Sequence, residues 1–295
     1  MNAITEELNP KTKNIDRLST PEIVRLINDE DKAVAEAVSS VLDRVAQAVD
    51  VIVECLRSGG RLIYVGTGTS GRLGVLDASE IPPTFGAPGD LVVGIIAGGY
   101  DALHRAVEGA EDDFEQSTRD LESHKVSSGD VVVGISASGR TPYTVGAIEY
   151  AKKIGAATVA VTCNPESKLA AAATVSIAPV VGPEVIAGSS RMKAGTAQKM
   201  ILNMLSTATM IKLGWVYSNL MSNLRATNEK LRRRACAILC EEAGLSDEAA
   251  AQIFKAAGED LRVALLMARS SLSRDDAQRL LESHHGSVRR ALDGL

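Results

Sequence analysis

RLIYVGTGTSG, residues 61–71, decides the fold class, because a short apolar run leads directly into a loop of glycine and hydroxyl residues. A continuously apolar run of this length is typical of a strand buried on both faces of a sheet. Four similar runs follow along the chain. They are LVVGIIAG (91–98), VVVGISA (131–137), TVAVTCN (158–164) and TVSIAPV (174–180). Because helical stretches separate these runs, we predict an α/β fold with a five-stranded parallel sheet inside three layers.

Helices are predicted before, between and after the strands along the chain. Ser19-Thr20-Pro21-Glu22 offers a cap and a first-turn proline for helices over about 20–57. Further helices are expected from Asp101 to about His124 and from about Arg191 to Leu213, and Pro82-Pro83 should end the helix that the first loop begins.

The sequence pattern changes after Asn228. Residues 235–295 have no strand pattern and contain glycines at 244, 258 and 286. These residues predict a small bundle of short helices. We therefore expect four segments in order. They are an N-terminal helical segment 1–53, a sheet domain 54–217, a linker 218–234 and a C-terminal helical domain 235–295.

Composition limits the classes of function. The 295 residues carry a formal charge of −5 and are 45% hydrophobic, enough for a sizeable core. A mildly acidic chain lacks the broad positive field that a protein needs to bind nucleic acids or anionic membranes, and no apolar run reaches about 18 residues. The polar opening MNAITEELNPKTKN does not have the pattern of a signal peptide, and four cysteines in such a chain predict a reducing compartment. We expect a cytoplasmic protein that binds neither nucleic acid nor membrane.

Three loops follow strands or open a helix, and all three are rich in hydroxyl side chains. Parallel sheets bind ligands at the carboxyl ends of their strands, where backbone amides and helix N-termini attract anions. Three such loops in one sheet favour a phosphorylated small ligand. The candidate ligand-binding residues are Thr67, Gly68, Thr69, Ser70 and Gly71 in the first loop, Ser136, Ser138, Gly139 and Thr141 in the second, and Ser189, Ser190, Arg191 and Lys193 in the third.

The type of phosphate compound follows from what the loops lack. The first loop satisfies G-x-G-x-x-G, but the dinucleotide motif also needs an acid at the end of the second strand. That strand ends in Ala97-Gly98-Gly99-Tyr100, and the first acid is Asp101. The ATP-binding pattern G-x-x-x-x-G-K-[ST] is absent from the sequence. A sugar monophosphate therefore fits better than a nucleotide or a nicotinamide or flavin cofactor.

Carboxylates are the remaining candidates for chemistry. The four histidines are scattered, the pair Cys236 and Cys240 lacks partners for a zinc site, and no G-x-S-x-G nucleophile motif occurs. Acids follow the first and second strands. They are Glu80, Glu108, Glu111, Asp112 and Asp113. Each alone is typical of a solvated surface, and their spacing does not single out a catalytic pair.

Several segments resemble the N-acetylmuramic acid 6-phosphate etherases, over about residues 14–231. The similar segments are VRLINDEDKAVAEAV (24–38), GTGTSGRLGVLDASEIPPTF (66–85), AVEGAEDD (106–113), SASGRTPY (136–143), GPEVIAGSSRMKAGTAQK (182–199) and ATNEKL (226–231). The sequence departs from the family pattern at Tyr100-Asp101 and at Ala187. The resemblance implies a sheet of the sugar isomerase (SIS) type and a C-terminal domain like a ubiquitin-associated domain.

This resemblance also implies an activity, a lyase that needs no cofactor and no metal. Family members release D-lactate from N-acetylmuramic acid 6-phosphate and leave N-acetylglucosamine 6-phosphate, in the recycling of cell-wall sugar. By position, Glu80 of DASE corresponds to the acid that protonates the departing lactate oxygen, and Glu111 of VEGAED to the base that removes the C2 proton. Glu184 lies where related domains have a functional glutamate, and it is expected at the substrate site.

Two other functions remain open, and both use a sugar phosphate. A sugar-phosphate isomerase of the same fold also forms an enolate but does not need Glu80 and Glu111 in these motifs. A non-catalytic sensor is the second alternative, because glucokinase regulatory proteins share the GPEV-GSSR-K region. Those regulators are roughly twice as long, so we expect the etherase activity instead. Domains of this type pair, and a homodimer is therefore expected.

Overall fold

The computed structural model describes residues 4–224, 226 and 228–295, which form two compact units. The first unit comprises the chain up to Ser79 together with Asp90–Ser206. The second comprises Glu80–Gly89 and Thr207–Leu295. The second unit thus includes Glu80–Gly89, which the sequence prediction assigns to the sheet domain 54–217.

The first unit contains the predicted five-stranded parallel sheet. Its strands are β1 Leu62–Gly66, β2 Val92–Ile96, β3 Val131–Ile135, β4 Ala157–Val161 and β5 Val175–Ile177. The strand order is β2-β1-β3-β4-β5, and every neighbouring pair is parallel. Leu62 of β1 lies opposite Val92 on one side and Val131 on the other. Branched and apolar side chains point to both faces, and the central strands are fully buried.

Helices cover both faces of this sheet and complete the three predicted layers. Eight α-helices begin among the described residues of the first unit. They are α1 Thr20–Ser39, α2 Leu42–Arg57, α3 Gly68–Phe85, α4 Asp101–His104, α5 Phe114–Ser123, α6 Pro142–Lys153, α7 Lys168–Ala172 and α8 Lys193–Leu213. Helix α6 packs on the face of Ile63 and Val65. On the opposite face, α3 brings Gly74 against Tyr64. The predicted cap of α1 is confirmed, since the Ser19 N–H donates to the Glu22 carboxylate.

The predicted helix from Asp101 to His124 is wrong, because two helices with a loop between them occupy this range. Helix α4 ends at His104, and Gly109 then takes a φ of +73°, in the left-handed region where a right-handed helix cannot continue. Asp113 starts α5 anew by accepting a hydrogen bond from the Gln116 N–H at 2.8 Å. The loop 105–113 between them contains Glu111.

Pro82 and Pro83 do not end helix α3, contrary to the sequence prediction, since the helix continues to Phe85. The ring of proline fixes φ near the helical value, but proline lacks the N–H that would donate to the carbonyl four residues earlier, and its ring crowds that carbonyl. The helix ends two residues after Pro83, at Phe85. The Gly86 N–H donates to the Pro82 carbonyl at 2.9 Å and closes the end of the helix.

The second unit is built on a bundle of short helices in the C-terminal residues. They are α9 Glu229–Ala243, α10 Asp247–Ala256, α11 Leu261–Ser270, α12 Arg274–Ser283 and α13 Val288–Asp293. Glycines 244, 258 and 286 take positive φ values beside the helix ends, as the sequence indicates. Helix α9 begins inside the predicted linker 218–234, and Leu224 is buried in the core of the bundle. None of the helices among the described residues is long and apolar enough to cross a membrane.

Candidate functional site

The first loop leads from β1 into helix α3 with a single residue, Thr67, between them. Helix α3 begins at Gly68, and the Gly71 N–H donates to the Thr67 carbonyl at 3.0 Å. A Cβ at Gly71 would lie only 2.7 Å from the Gly66 carbonyl oxygen. Glycine is therefore required where the first turn of the helix touches the strand end. This close turn holds the hydroxyls of Thr67 and Thr69 at the edge of the sheet.

The second loop is organised by hydroxyl groups. Ser136 follows β3 and is buried, and its Oγ accepts a hydrogen bond from the Gly139 N–H at 3.1 Å. The same Oγ lies 2.9 Å from Thr141 Oγ1. The Arg140 N–H donates to Ser138 Oγ at 3.3 Å. Helix α6 begins at Pro142, directly after Thr141. These hydroxyls therefore lie at a helix N-terminus, where the helix dipole attracts anions.

All three loops reach one cavity of about 420 Å³ in the first unit, as expected for the carboxyl edge of a parallel sheet. Hydroxyl groups and the candidate base line it together. The lining residues are Glu6, Thr67, Gly68, Thr69, Ser70, Glu111, Asp112, Ser136, Ala137, Ser138, Arg140, Thr141, Pro142, Gly188 and Ser190. Ser70 Oγ also donates to Gln198 Oε1 at 2.9 Å, which links the first loop to α8. The cavity has the hydroxyls and helix termini needed to bind a phosphate, and it has a carboxylate next to them.

Glu111 lies on the loop between α4 and α5. Its backbone carbonyl accepts a hydrogen bond from the Tyr143 N–H at 3.1 Å, which ties the loop to the start of α6. The Tyr143 hydroxyl in turn donates to Asp120 Oδ2 at 2.6 Å. Burial and the Asp120 carboxylate both raise the pKa of Tyr143, so the hydroxyl remains a donor. Glu111 is thereby held at the edge of the cavity while its side chain stays exposed.

Glu111 also lines a neighbouring cavity of about 340 Å³, which extends toward α4. Arg72 of α3 crosses one wall of this cavity, and its guanidinium donates to the backbone carbonyls of Leu103 and Arg105 at 3.3 and 3.2 Å. The loop is therefore fixed at both ends, by α3 near Arg105 and by α6 at Glu111. This accounts for a defined position in a segment without regular secondary structure.

Glu80, the other predicted catalytic acid, is exposed near the end of α3 and is not among the residues that line either of these cavities. Glu111 therefore lines the cavity of the three loops in the first unit, whereas Glu80 belongs to the second unit.

Glu184 lies outside the cavity, fully buried. Its carboxylate accepts hydrogen bonds from the N–H groups of Lys193 and Ala194, both at 3.0 Å. These amides form the first turn of α8, whose donors have no partners within the helix. Glu184 thus caps α8 from a preceding loop, and both of its oxygens are engaged in that role.

Lys193 is also buried away from the cavity, in an ion pair with Glu30 of α1 at 2.7 Å. Burial alone would raise the pKa of Glu30. Hydrogen bonds from Lys193, Lys11 and Asn9 outweigh burial and lower this pKa to about 2.

Four other candidate ligand-binding residues do not line the cavity. They are Gly71, Gly139, Ser189 and Arg191.

Glu6 is the cavity residue that the sequence does not predict, whereas Asp112 is one of the candidate acids and Arg140 and Gly188 belong to the second and third loops. Glu6 belongs to a polar segment with no periodic pattern, so nothing in the sequence places it near loops that are far away along the chain.

Within the described residues, no group of three or more histidine, cysteine, aspartate or glutamate side chains is arranged to hold a metal ion.

Two family models match the sheet domain. Residues 44–152 match the glucokinase regulatory protein N-terminal SIS domain, and residues 113–208 match the SIS domain. Among solved structures, a phosphoheptose isomerase from Neisseria gonorrhoeae covers 65% of this chain with a TM-score of 0.51 at 19% identity, and 98% of its own chain is covered. A phosphoheptose isomerase from Francisella tularensis also covers 65%, with 98% of its own chain covered, a TM-score of 0.50 and 20% identity. These likenesses show the SIS fold.

Curated relatives match along nearly the whole chain. The N-acetylmuramic acid 6-phosphate etherase of Clostridium beijerinckii is 53% identical over 294 residues, which is 100% of this chain and 97% of the relative. The etherase of the same name from Yersinia pestis is 53% identical over 289 residues, or 98% of each chain. At this identity and coverage, the chain belongs to the N-acetylmuramic acid 6-phosphate etherase family.

Proposed function

We propose that the protein is a carbon–oxygen lyase that cleaves the D-lactyl ether of N-acetylmuramic acid 6-phosphate in the recycling of cell-wall sugar. The products are N-acetylglucosamine 6-phosphate and D-lactate. The observation that carries this proposal is the 53% identity to etherases over the whole chain. The cavity supports it independently, because it combines hydroxyl-lined loops with the carboxylate of Glu111.

The loops bind the 6-phosphate in this proposal. The hydroxyls of Ser138, Thr141 and Thr69 line the cavity, and helix α6 begins beside them with its positive dipole end. A phosphate carries about 1.5 to 2 negative charges at neutral pH and accepts several hydrogen bonds. Hydroxyl donors and a helix terminus satisfy that requirement without a metal ion.

Glu111 is the proposed base. In the open-chain sugar, C2 lies next to the C1 aldehyde, which makes the C2 proton acidic. The Glu111 carboxylate takes this proton and leaves an enolate, whose negative charge then drives the C3–oxygen bond to break. Water adds to the resulting C2–C3 double bond, with its hydroxyl on C3 and a proton on C2. The net reaction consumes one water and releases one lactate.

Glu80 is the proposed acid, and the family resemblance is what supports this role. An alkoxide is a poor leaving group, so a carboxyl proton donated to the lactate oxygen lowers the barrier to elimination. Glu80 lies on helix α3, which the first loop begins. The roles of the two glutamates are separate and therefore separable by experiment.

The test is to incubate the full-length protein with N-acetylmuramic acid 6-phosphate in deuterated water and to measure lactate and C2 deuterium. The expected result is lactate release with one deuterium at C2 of the product. In Glu111→Gln, both lactate release and C2 exchange should fall by about 10² to 10⁴. In Glu80→Gln, lactate release should fall while exchange at C2 continues. An analogue with a halide at C3 needs no acid and should restore elimination in Glu80→Gln only.

Glu115→Gln is the matched control, because Glu115 is exposed on α5 and lies outside the lining of the cavity. Its activity should equal that of the wild type. A folded protein that exchanges the C2 proton of sugar phosphates but never releases lactate would support a sugar-phosphate isomerase instead. A protein that binds the sugar phosphate without any exchange would support a sensor related to glucokinase regulatory protein.

We further propose that the protein acts as a homodimer in the cytoplasm, with the sheet domain (54–217) as the sugar-phosphate-binding domain and residues 235–295 as a separate helical domain. Large apolar side chains are exposed on several elements of the first unit, including Val24, Leu42 and Ile186. Burying such side chains between two copies would be favourable. Sedimentation velocity should give twice the chain mass of 31.0 kDa, and a monomer at micromolar concentration would contradict this proposal.

A further inference from the structure

The segment before the first helix is fixed in place by buried contacts. It forms three short 3₁₀ turns, Ile4–Glu6, Pro10–Thr12 and Ile15–Arg17. Asn9 is buried, and its side-chain amide donates to the Glu30 carboxylate at 2.8 Å and to the Pro183 carbonyl at 3.3 Å. Thr5 is 1% exposed. The residues on either side of Glu6 along the chain are therefore anchored to the first unit.

This anchoring brings the Glu6 side chain into the cavity beside the third loop. Glu6 lines the same cavity as Glu111 and the hydroxyls of the three loops. Its carboxylate lies next to Gly188, because a Cβ at this glycine would be 3.2 Å from Glu6 Oε2. Glu6 thus contributes a charged acceptor to the part of the cavity that Gly188 and Ser190 of the third loop also line.

The charge of Glu6 determines which part of a sugar phosphate it contacts. A carboxylate repels the phosphate group, and it has no proton to donate to phosphate oxygens at neutral pH. It forms strong, charge-assisted hydrogen bonds with hydroxyl donors. A sugar offers several hydroxyls at a distance from its phosphate. The matching ligand group is therefore a sugar hydroxyl.

We propose that Glu6 is a substrate-recognition residue, whose carboxylate accepts a hydrogen bond from a hydroxyl of the bound sugar and so selects a sugar phosphate over free phosphate. This inference rests on the proposed function, since it names a contact within the same site. It also assigns a role to the N-terminal segment, which forms one wall of the cavity.

The test compares Glu6→Ala and Glu6→Gln with Glu7→Ala in the full-length protein. Glu7 is an exposed neighbour that does not line the cavity, so Glu7→Ala serves as the matched control. One measurement is steady-state kinetics with N-acetylmuramic acid 6-phosphate. The second is calorimetric binding of N-acetylglucosamine 6-phosphate, which requires no turnover. The third is competition by inorganic phosphate, which reports on the phosphate subsite alone.

The expected result is a split between the probes. Glu6→Ala should raise KM and weaken N-acetylglucosamine 6-phosphate binding by about ten- to a hundredfold, as expected for the loss of a hydrogen bond to a charged group. Its kcat should change little, because the contact is made in the ground state and the transition state alike. Glu6→Gln keeps an acceptor and should fall between Glu6→Ala and the wild type. The inhibition constant of inorganic phosphate should stay the same or decrease.

Two results would overturn the inference about Glu6. One is sugar-phosphate binding in Glu6→Ala that equals binding in Glu7→Ala. The other is an equal loss for the sugar phosphate and for inorganic phosphate, since that would show only a disturbed cavity. Failure of the proposed function looks different. In that case the wild type would bind N-acetylglucosamine 6-phosphate and still depend on Glu6, but would release no lactate.

Discussion

The Lys193 ammonium and the Glu30 carboxylate form a pair that is almost completely excluded from water, at 3% and 6% side-chain exposure. A buried pair of this kind contributes little net stability compared with apolar packing, but losing one partner is strongly destabilising. Asn9 and Lys11 complete the hydrogen bonding of Glu30. The pair therefore joins three distant parts of the chain, the N-terminal segment, α1 and the start of α8.

Glu30→Gln should lower the free energy of unfolding by about 3 kcal/mol at pH 7, because it leaves the buried Lys193 charge without a counter-charge. The pKa of Glu30 is lowered from 4.5 to about 2. The wild-type stabilisation is therefore present above pH 4.5 and is lost as the pH falls from 4.5 toward 2. The difference between wild type and variant should shrink over that range. Urea unfolding at several pH values measures it.

Glu36→Gln provides the comparison for this experiment, because Glu36 is exposed on the same helix. It should change the unfolding free energy by less than about 0.5 kcal/mol. If Glu30→Gln and wild type keep the same separation from pH 7 to pH 2, the ion pair is not the source of the stability.

At the scale of elements, the loop 105–113 determines where Glu111 lies. A helix over this range would carry Glu111 along a regular cylinder. The break at Gly109 instead allows the Glu111 carbonyl to meet the Tyr143 N–H at the start of α6. The acidic composition of AVEGAEDDFEQ suits a solvated helix face, and one glycine in such a run is weak evidence against a helix. This explains why the sequence prediction was wrong here.

Gly109→Ala should lower activity through the backbone alone. A Cβ at Gly109 would meet nothing within 4 Å, so the whole effect comes from the φ of +73°. Placing alanine in the left-handed region costs about 1–2 kcal/mol, and the loop can relieve this cost by shifting Glu111. We expect kcat/KM to fall by at least about tenfold, with a small decrease in thermal stability.

Gly89→Ala is the control for this variant, because a Cβ there also meets nothing within 4 Å and Gly89 has no positive φ. Its stability should stay the same or rise slightly, since alanine restricts the unfolded chain. Equal activity of Gly109→Ala and wild type would show that the loop conformation does not position the base.

Local patterns predict the elements of this protein far better than they predict contacts between distant residues. The strands are found within a few residues of their positions, because a buried parallel strand is apolar on both faces and each loop follows its strand directly. Glu184 and Lys193 show the opposite case. Both lie in the segment GPEVIAGSSRMK (182–193), which resembles a ligand site, but Glu184 caps α8 and Lys193 pairs with a residue 163 positions away. No spacing within this segment carries that information.

At the scale of the whole molecule, the two units differ in how readily the sequence reveals them. The sheet unit follows from five apolar runs and their loops. The second unit draws on two separate parts of the chain, Glu80–Gly89 and Thr207–Leu295. Its core includes Tyr217 and Leu224 together with residues of α9 to α13. The absence of strand patterns after Asn228 predicts the helical bundle, but it does not show which earlier residues pack in the same unit.

The total charge leads to a prediction about how the substrate arrives. The chain carries a formal charge of −5, and three carboxylates (Glu6, Glu111 and Asp112) line the cavity against one guanidinium, that of Arg140. The proposed substrate is itself an anion, with a phosphate and a lactyl carboxylate. Repulsion between exposed charges acts over about 30 Å at 0.01 M salt and about 10 Å at 0.1 M. Sodium chloride should therefore increase kcat/KM by about two- to threefold over this range.

Asp112→Asn tests the source of this effect, since it removes one carboxylate from the edge of the cavity and leaves the side-chain volume nearly unchanged. We expect a higher kcat/KM than wild type at 0.01 M salt and a smaller increase on adding salt. Asp50→Asn removes the same charge from an exposed site on α2, and should retain the wild-type response apart from a small shift. A decrease of kcat/KM with salt would instead show that the helix termini and loop amides attract the substrate more strongly than the net charge repels it.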